Sequence, residues 1–357
     1  MGVDVTQTEA GITLDELRLA ARNHALPLEI LREPITPAGL HYLLIHFDIP
    51  AVDAAAWRLE IGGLVERRVE LTLDDVRTRP SRTLPVTLEC AGNGRALLSP
   101  RSQSQPWLTE AVGTAEWTGT PLAPLLREAG LQEDALEVVF TGLDRGVQGE
   151  VEQDYQRALP LADALRDEVL LAYEMNGAPL LPQHGYPLRV IVPGWYGMTH
   201  VKWLRSITVV GEPFRGWQQE VSYRLRQQEE EQGDPVNRIL PRSLLVPPGI
   251  PDFASRARIV DSGPCVLIGR AWSGHGPVVR VEVSDDAGAS WRDAELDGDA
   301  PEFAWRGWRF AWNAGPGEYE LCCRATDAAG YVQPDTAEWN LDGFCNNAVQ
   351  RVPVTVR

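Results

Sequence analysis

The sequence predicts an α+β chain in which a mixed domain of strands and helices is followed by an all-β sandwich. Its 357 residues are enough for two compact domains. A run of acidic residues at 229–231 and five prolines within 235–251 mark a change of composition between them. We therefore expect an N-terminal helix and arm over residues 1–39, a first domain over 40–235 and a second over 236–357.

The elements of the first two segments follow from apolar spacing and from residues typical of helix ends. Residues 14–24 carry apolar side chains at helical spacing with acids first, which predicts a short helix before a proline-rich arm. Alternation predicts strands at 57–61 and 69–71. Helices are expected at 73–78, which opens with Asp74 and Asp75, and at 121–129, which Gly130 follows.

The second domain shows short alternating runs separated by Gly, Asp and Pro, at 257–260, 265–272, 278–284, 308–312 and 318–325. This spacing is typical of a β-sandwich. Many tryptophans crowd this part of the chain, and we interpret them as core and interface aromatics. They are Trp272, Trp291, Trp305, Trp308, Trp312 and Trp339.

The charge balance limits the possible partners. With 33 basic and 50 acidic residues the formal net charge is −17, which argues against nucleic acid or an anionic membrane held by bulk charge. No run reaches the roughly 18 apolar residues of a membrane span, and residues 1–15 are polar and acidic. We expect a cytoplasmic protein, or a periplasmic one if an export signal has been removed.

The cysteines do not form a disulfide framework, because they are odd in number and lack any Cys-x-x-Cys pair. Alternation along a strand predicts that one of the adjacent pair Cys322 and Cys323 packs inward as a small hydrophobe rather than binding zinc. The five cysteines are Cys90, Cys265, Cys322, Cys323 and Cys345.

Cys90 has the most informative surroundings of the five. It is a lone thiol at the end of an apolar run, followed by the small-residue turn Ala91-Gly92-Asn93-Gly94 and then Arg95. A thiolate binds soft metals, and a nearby positive charge lowers the proton affinity that opposes binding. The octet alone leaves two interpretations open, a metal ligand or an inert buried side chain.

Other blocks accompany this octet in a fixed order along the chain. They are 140–144 (FTGLD), 173–177 (YEMNG), 184–189 (HGYPLR), 192–194 (VPG) and 200–204 (HVKWL). Together with the octet, they closely resemble the sulfite oxidase family of molybdenum enzymes, from about Leu40 to the C-terminus. The resemblance implies a mixed α/β molybdopterin-binding domain and an immunoglobulin-like domain that mediates homodimer formation.

The resemblance also implies a molybdenum-pyranopterin cofactor, with Cys90 as the protein ligand of the metal. We expect no haem or flavin on this chain, because the sequence shows no haem-attachment motif and no evident cytochrome b5-like segment. The positions that match the family's other cofactor-binding residues are His46, Asp144, His184, Arg189 and Lys202. His24, in Arg22-Asn23-His24, is an alternative to His46, but the spacing to Cys90 and the following Ile49-Pro50 favour His46.

The family's activity implies oxidation of sulfite to sulfate by oxo transfer, with electrons passed to an external acceptor. Arg95, Trp107 and Tyr223 match substrate-site residues, although Tyr223 lies one residue farther from Trp217 than the family pattern has it. Leu44 and Asp342 occupy the positions of two further substrate-site arginines. An aspartate in place of an arginine disfavours a small oxyanion.

Two alternatives follow from the residues at positions 44 and 342. Arg22 or Arg306 could fold in and restore the missing charge, or the substrate could be another S- or N-oxygenated compound, such as a sulfoxide or an N-oxide. A non-catalytic interaction protein that keeps the cofactor fold is a different class, which molybdenum content would distinguish. Nitrate reduction, the family's other chemistry, normally comes with fused haem and flavin modules, which are not evident in this sequence.

Overall fold

A computed structural model describes residues 11–357, so the first ten residues of the expected N-terminal arm and polar start lie outside the described residues. The α-helices are short: α1 (Leu14–Ala20), α2 (Leu73–Arg77), α3 (Leu122–Ala129) and α4 (Leu161–Ala164). Thr13 and Thr72 cap α1 and α2, and each accepts a hydrogen bond from the backbone N–H three residues later. No helix among residues 11–357 has the length and apolar character needed to cross a bilayer.

The first half of the chain forms two five-stranded sheets. Its strands are β1 (Leu59–Gly63), β2 (Val69–Leu71), β3 (Arg82–Glu89), β4 (Val112–Pro121), β5 (Glu137–Gln148), β6 (Val151–Pro160), β7 (Leu170–Met175), β8 (Ala178–Pro179), β9 (Arg189–Ile191) and β10 (Leu204–Val210). One sheet has the order β2-β1-β10-β5-β6, and the other has the order β3-β4-β7-β8 with β9 also paired to β7. The apolar faces of α3, β1, β5 and β10 share one large core.

A short hairpin links this half to the next. It pairs β11 (Arg224–Leu225) with β12 (Asp234–Pro235). A third apolar cluster lies where the segments meet, with Leu26 and Leu31 from the arm, Tyr223 from the end of the first half, and Trp272 and Phe344 from the second half. The arm is therefore packed between the two parts of the molecule.

The second half is a sandwich of two sheets around its own core. The strands are β13 (Arg242–Leu245), β14 (Ile250–Pro251), β15 (Arg258–Val260), β16 (Gly263–Trp272), β17 (Val278–Ser284), β18 (Arg292–Asp293), β19 (Glu295–Leu296), β20 (Arg306–Ala314), β21 (Gly317–Asp327) and β22 (Gln350–Val356). The sheet orders are β13-β16-β20-β19 and β14-β15-β22-β21-β17-β18. Both inner faces supply apolar side chains to the core between them.

The α+β class and the sandwich are confirmed, and most predicted elements appear within two residues of their expected ends. The exception is α1, which ends at Ala20 instead of continuing to residue 24. Asn23 explains the early end, because its side chain donates to Leu19 O and Gln105 Oε1 and accepts from the Ile45 N–H. These bonds tie the chain to other segments in a conformation that a continuing helix would not allow.

The tryptophan and cysteine predictions also have outcomes in the structure. Trp272, Trp305, Trp308 and Trp312 are buried, whereas Trp291 and Trp339 are only partly buried. All five cysteines are free, and Cys322 and Cys323 are both buried. Cys323 packs in the sandwich core, as alternation along β21 requires for one member of the pair.

Candidate active site

The Cys90 turn leaves the end of β3 and folds back on itself. Cys90 is 7% exposed, and its N–H donates to Ala111 O at 2.9 Å. The guanidinium of Arg95 packs against Gly92, where an added Cβ would lie 2.8 Å from Arg95 Cζ. Gly94 has a φ of +91°, which a residue with a side chain rarely adopts. Both glycines therefore serve to bring Arg95 back toward the thiol.

Burial raises the pKa of the Cys90 thiol, while Arg95 and the indole N–H of Trp107 act in the opposite direction. The charge of Arg95 alone would lower this pKa, but burial outweighs it. Metal binding must therefore displace the proton from this buried thiol.

A buried ionic network holds the turn from below. Glu89 and Arg242 are each 1% exposed, and Glu89 Oε1 lies 3.0 Å from Arg242 Nε. Asn93 Nδ2 donates to the same carboxylate at 3.0 Å, and Trp272 Nε1 donates to it at 2.7 Å. Arg242 and Trp272 belong to the second half of the chain, so the sandwich supports the residue beside Cys90.

The loop before β22 contacts the same turn from the other side. The Cys345 N–H donates to Ala91 O at 2.8 Å, and Asn346 Nδ2 donates to Gly94 O at 2.7 Å. Arg95 Nε donates to Asp342 O at 2.7 Å. We call these contacts, together with the Glu89–Arg242 pair, the turn clamp; they fix the conformation of the Cys90 turn through both halves of the chain.

A cavity opens above Cys90, with about 660 Å³ of empty space including its mouth. Seventeen residues line it: His41, Tyr42, Leu43, Leu44, His46, Leu88, Cys90, Ala91, Asp144, Tyr155, His184, Arg189, Gly197, Met198, His200, Lys202 and Tyr223.

The cations of this cavity are held by backbone carbonyl groups. Arg189 donates to His184 O at 3.0 Å and to His200 O at 3.2 Å, and Lys202 Nζ donates to Leu44 O at 2.7 Å. Gly185, with a φ of +104°, lets the two approach, since an added Cβ would lie 3.0 Å from Lys202 Cβ and 3.2 Å from Arg189 Cβ. Because carbonyl oxygens do not neutralise a charge, this wall favours an anion.

The neighbouring histidines do not add to this charge. Burial, together with the nearby charge of Arg189, lowers the pKa of His41 to about 4 and that of His184 to about 2. His200 is also neutral, since burial lowers its pKa to about 3. Burial raises the pKa of the Asp144 carboxyl and lowers that of Lys202, and each group partly offsets the effect on the other.

Another part of the cavity wall is aromatic. The Tyr223 ring stacks on Phe344, with centroids 5.0 Å apart, and lies 6.1 Å from the His46 ring. Arg95 approaches the same Phe344 ring at 5.0 Å. Arg95 and Trp107 are buried beside Cys90 but are not among the residues that line the cavity.

Two family models match the chain, "Oxidoreductase molybdopterin binding domain" over residues 46–218 and "Mo-co oxidoreductase dimerisation domain" over residues 251–357. Mitochondrial sulfite oxidase of Rattus norvegicus is 37% identical over 362 residues, which cover 92% of this chain and 63% of the rat protein. Sulfite oxidase of Gallus gallus is 36% identical and covers 91% of this chain and 74% of that protein. The chain belongs to the sulfite oxidase family.

A solved structure extends this finding to the whole fold. The sulfane dehydrogenase SoxCD of Paracoccus pantotrophus matches with a TM-score of 0.81 at 26% identity, covering 100% of this chain and 95% of that chain. Both halves of this sulfite oxidase family member therefore share the family's architecture. The chain spans 63% of the length of the rat relative.

The cavity fits the molybdenum-pyranopterin cofactor of the sulfite oxidase family. Three buried atoms of lining residues have no hydrogen-bond partner: His41 Nε2, Asp144 Oδ1 and Arg189 Nε. Such atoms are costly unless a ligand satisfies them. Among residues 11–357, no group of three or more His, Cys, Asp or Glu side chains could hold a metal ion. A single thiolate whose metal also has cofactor ligands is the arrangement that suits these residues.

The structure brings most of the predicted site residues together. His46, Cys90, Asp144, His184, Arg189, Lys202 and Tyr223 all line the cavity. His24 does not: it is exposed and pairs through its backbone with Leu43. His46, by contrast, lies in the cavity wall.

The extra residue before Tyr223 also has a structural explanation. Residues Gln218–Ser222 form a π-helix that ends immediately before Tyr223. A π turn contains one residue more than an α turn and so accommodates an insertion. Tyr223 thus reaches the cavity wall despite its longer spacing from Trp217.

The two missing arginines have different consequences. Leu44 places an apolar side chain in the cavity wall. Asp342 is not a lining residue, and its carboxylate accepts a hydrogen bond from Arg226 Nη2 at 2.8 Å. The expected repulsion of an anion by Asp342 is therefore largely compensated, because Arg226 pairs with its charge.

Neither arginine proposed from the sequence as a replacement lies in the cavity. Arg22 donates to Phe47 O on the surface, and Arg306 donates to Asp297 O and Val278 O in the sandwich. Both side chains are engaged elsewhere because their strands and turns fix them outside the site.

Sequence reasoning missed His41, Tyr42, Tyr155, Met198 and His200, which also line the cavity. A usable signal existed for two of them. His200 alternates with Lys202 in the block 200–204, and His41 lies five residues before His46 in the same extended segment. Nothing local distinguishes Tyr155 or Met198 from ordinary core residues.

Proposed function

We propose that this protein oxidises sulfite to sulfate by oxo transfer at molybdenum and passes the electrons to an external acceptor. The pairing of Asp342 with Arg226 carries the proposal, because it compensates the negative charge that argued most strongly against an oxyanion. Arg95, buried beside Cys90, then supplies the positive charge nearest the metal position. The sulfite oxidases among its relatives support the same activity.

The proposed roles follow from the positions of the side chains. Cys90 holds the metal, and the cations Arg189 and Lys202 hold the cofactor's phosphate. Asp144 Oδ1 and His41 Nε2, which have no partner, face the cofactor's polar groups. His46 and His184 complete the cavity wall. When bound, the molybdenum centre supplies the oxo group and takes up two electrons.

In this proposal Tyr223 orients the substrate, and the buried Arg95 contributes charge. Burial raises the pKa of Tyr223 well above its ordinary value, so the phenol keeps its proton at neutral pH and can donate a hydrogen bond to an oxyanion. The Arg95 guanidinium adds a permanent charge beside the Cys90 turn. Trp107, 4% exposed, excludes water from the other side of the thiol.

A second candidate substrate is an uncharged S- or N-oxygenated compound, such as a sulfoxide or an N-oxide. The specific observation in its favour is the apolar lining by Leu44 and Met198 on the cavity wall. Apolar side chains do not compensate the desolvation of an anion, but they suit the methyl groups of such compounds. Substrate competition separates the two candidates.

We also propose that the protein is a homodimer formed through its second half. Residues 251–357 match a dimerisation domain, and Phe253, in the loop between β14 and β15, is 93% exposed. An aromatic residue so exposed is common in interfaces. Light scattering of the purified protein would give the mass of a dimer if the proposal holds and that of a monomer otherwise.

The experiment that tests the function measures molybdenum content and sulfite-dependent ferricyanide reduction together. Cys90→Ser is expected to abolish turnover while the fold, followed by circular dichroism, is retained. The matched control is Cys265→Ser, which changes a free cysteine in the sandwich and should keep both molybdenum and activity. Normal turnover by the Cys90 variant would contradict the assignment of the metal ligand.

The parent protein gives the remaining outcomes. Molybdenum with sulfite turnover supports the proposal. Molybdenum with turnover of a sulfoxide or N-oxide, but not of sulfite, favours the second candidate. Protein from a cofactor-competent host that lacks molybdenum would contradict both.

A further inference from the structure

Arg157 is a buried cation that does not line the cofactor cavity. It lies on β6 with its side chain on the same face as Tyr155 and Leu159, and it is only 2% exposed. Burying a guanidinium is expensive unless a partner compensates its charge. The partners of Arg157 therefore decide what it does.

The partners present do not neutralise this charge. Arg157 Nη1 donates to Gln218 O, and Arg157 Nε is buried without a hydrogen-bond partner. Among residues 11–357, no carboxylate forms an ion pair with Arg157. The acidic residue that acts on it from a distance is Glu137, and Glu137 already accepts a hydrogen bond from the Phe214 N–H. Arg157 thus keeps an uncompensated positive charge inside the protein.

This charge lies directly behind the aromatic wall of the cavity. Arg157 Cζ is 5.6 Å from the centroid of the Tyr223 ring, and Tyr223 lines the cavity. Tyr155, two residues before Arg157, lines it as well, and its hydroxyl donates to Met198 O at 2.8 Å. A cation against a phenol ring polarises it and makes its hydroxyl a stronger donor.

We infer that Arg157 is a positioning residue that sets the affinity of the cavity for a small oxyanion, in place of the arginine position occupied by Leu44. The inference rests on the proposed function, since it assumes a negatively charged substrate or product in front of Tyr223. Arg157 acts through Tyr223 and through its field, without lining the cavity itself. Leu44 can be apolar because the charge is supplied from behind the aromatic wall.

A purely structural role predicts something different. If Arg157 only held Gln218 O and the π-helix in place, its loss would lower stability and disturb all ligands of the cavity alike. If Arg157 supplies charge, its loss would lower the affinity for anions and leave the affinity for an uncharged ligand unchanged. Anion affinity and its comparison with a neutral ligand therefore separate the two roles.

The test uses the molybdenum-loaded protein with Arg157→Met and Arg157→Lys. Replacing a buried charge with an apolar side chain of similar length is usually tolerated. The lysine variant keeps a protonatable group, but burial lowers the pKa of an amine that has no carboxylate partner, so its charge is present at low pH and lost at high pH. The control is Arg258→Met, which makes the same change at an arginine that is 4% exposed and bonded to carbonyl groups of residues 247–249 in the second half.

Calorimetry with inorganic sulfate gives the first readout, with dimethyl sulfoxide as the neutral probe. At an effective dielectric constant of about 20, a unit charge within about 10 Å of an anion changes the affinity for that anion by at least about tenfold. We expect Arg157→Met to lower the affinity for sulfate by that factor and to leave the affinity for dimethyl sulfoxide unchanged. Arg157→Lys should bind sulfate more tightly at low pH, where the lysine is protonated, than at high pH, and Arg258→Met should bind sulfate as the parent does.

Steady-state kinetics gives the second readout. In a protein that turns over sulfite, Arg157→Met should raise KM about tenfold and change kcat less. Unchanged sulfate affinity in Arg157→Met, or a parent that binds no sulfate, would overturn the inference. Absence of sulfite turnover in a parent that binds sulfate through Arg157 would instead count against the proposed function alone, so the two failures are distinguishable.

Discussion

Replacing Arg242 with methionine removes one half of the ion pair beneath the Cys90 turn. Both partners are 1% exposed, and Glu89 would keep two neutral donors, Asn93 and Trp272, at 3.0 and 2.7 Å. Removing one member of a buried pair costs about 3–5 kcal/mol, because the other charge is left uncompensated. The two remaining hydrogen bonds stabilise the carboxylate. We therefore expect Arg242→Met to lower the free energy of unfolding by about 3 kcal/mol, the lower end of that range.

A double-mutant cycle isolates the ionic contribution. Glu89→Gln and Arg242→Met together remove both charges of this pair. The double variant should therefore be more stable than the sum of the two single losses predicts. We expect a coupling energy of about 2 kcal/mol from urea unfolding followed by tryptophan fluorescence. Single losses that simply add, or an Arg242→Met cost below about 1 kcal/mol, would refute the reasoning.

The same variants test the turn clamp at the metal. Glu89 precedes Cys90 directly, whereas Arg242 belongs to β13. Arg242→Met should therefore lower molybdenum content, and the double variant should recover part of it. A suitable control is Arg309→Met, which removes an exposed pair with Glu295 on the sandwich surface and should cost less than about 1 kcal/mol.

Two further predictions concern residues near the cavity. His200 accepts the Val192 N–H at Nδ1 and donates to Trp195 O at 3.0 Å. Burial lowers its pKa from 6.5 to about 3, so its contribution to stability is complete above pH 6.5 and is lost as the pH falls toward 3. His200→Gln should flatten the urea stability curve in that window by up to about 1.4 kcal/mol per pH unit; parallel curves would contradict this. Gly113→Ala would place a Cβ 2.6 Å from His41 Cδ2, and we expect a loss of about 1–3 kcal/mol in thermal unfolding. An unchanged melting temperature would show that His41 can move away.

Local chemistry made much of the fold predictable. The helix over 73–77 has its capping threonine and acids in sequence, and β17 occupies the expected residues 278–284. The site could be predicted where its residues cluster in the chain. His184, Arg189 and Lys202 lie within 19 residues and share one Gly/Pro-rich segment, which suits an anion site.

The remaining features depend on contacts between distant segments. Arg226 and Asp342 are 116 residues apart in the chain, so sequence alone could not show that the aspartate is paired. Alternation on β6 indicates that Arg157 faces inward, but it cannot show that no carboxylate meets it there. The end of α1 depended on Asn23, whose partner Gln105 is 82 residues away.

The π-helix before Tyr223 has a consequence for how this part of the chain tolerates changes of length. In a regular α-helix, one added residue rotates everything after it by about 100°. The wider turn at Gln218–Ser222 absorbs such a residue as a local bulge, and the tyrosine beyond it keeps its direction. One residue can therefore be inserted here without changing the direction of the tyrosine side chain. Aligned sequences that differ by one residue at this point can still present equivalent side chains to the same cavity.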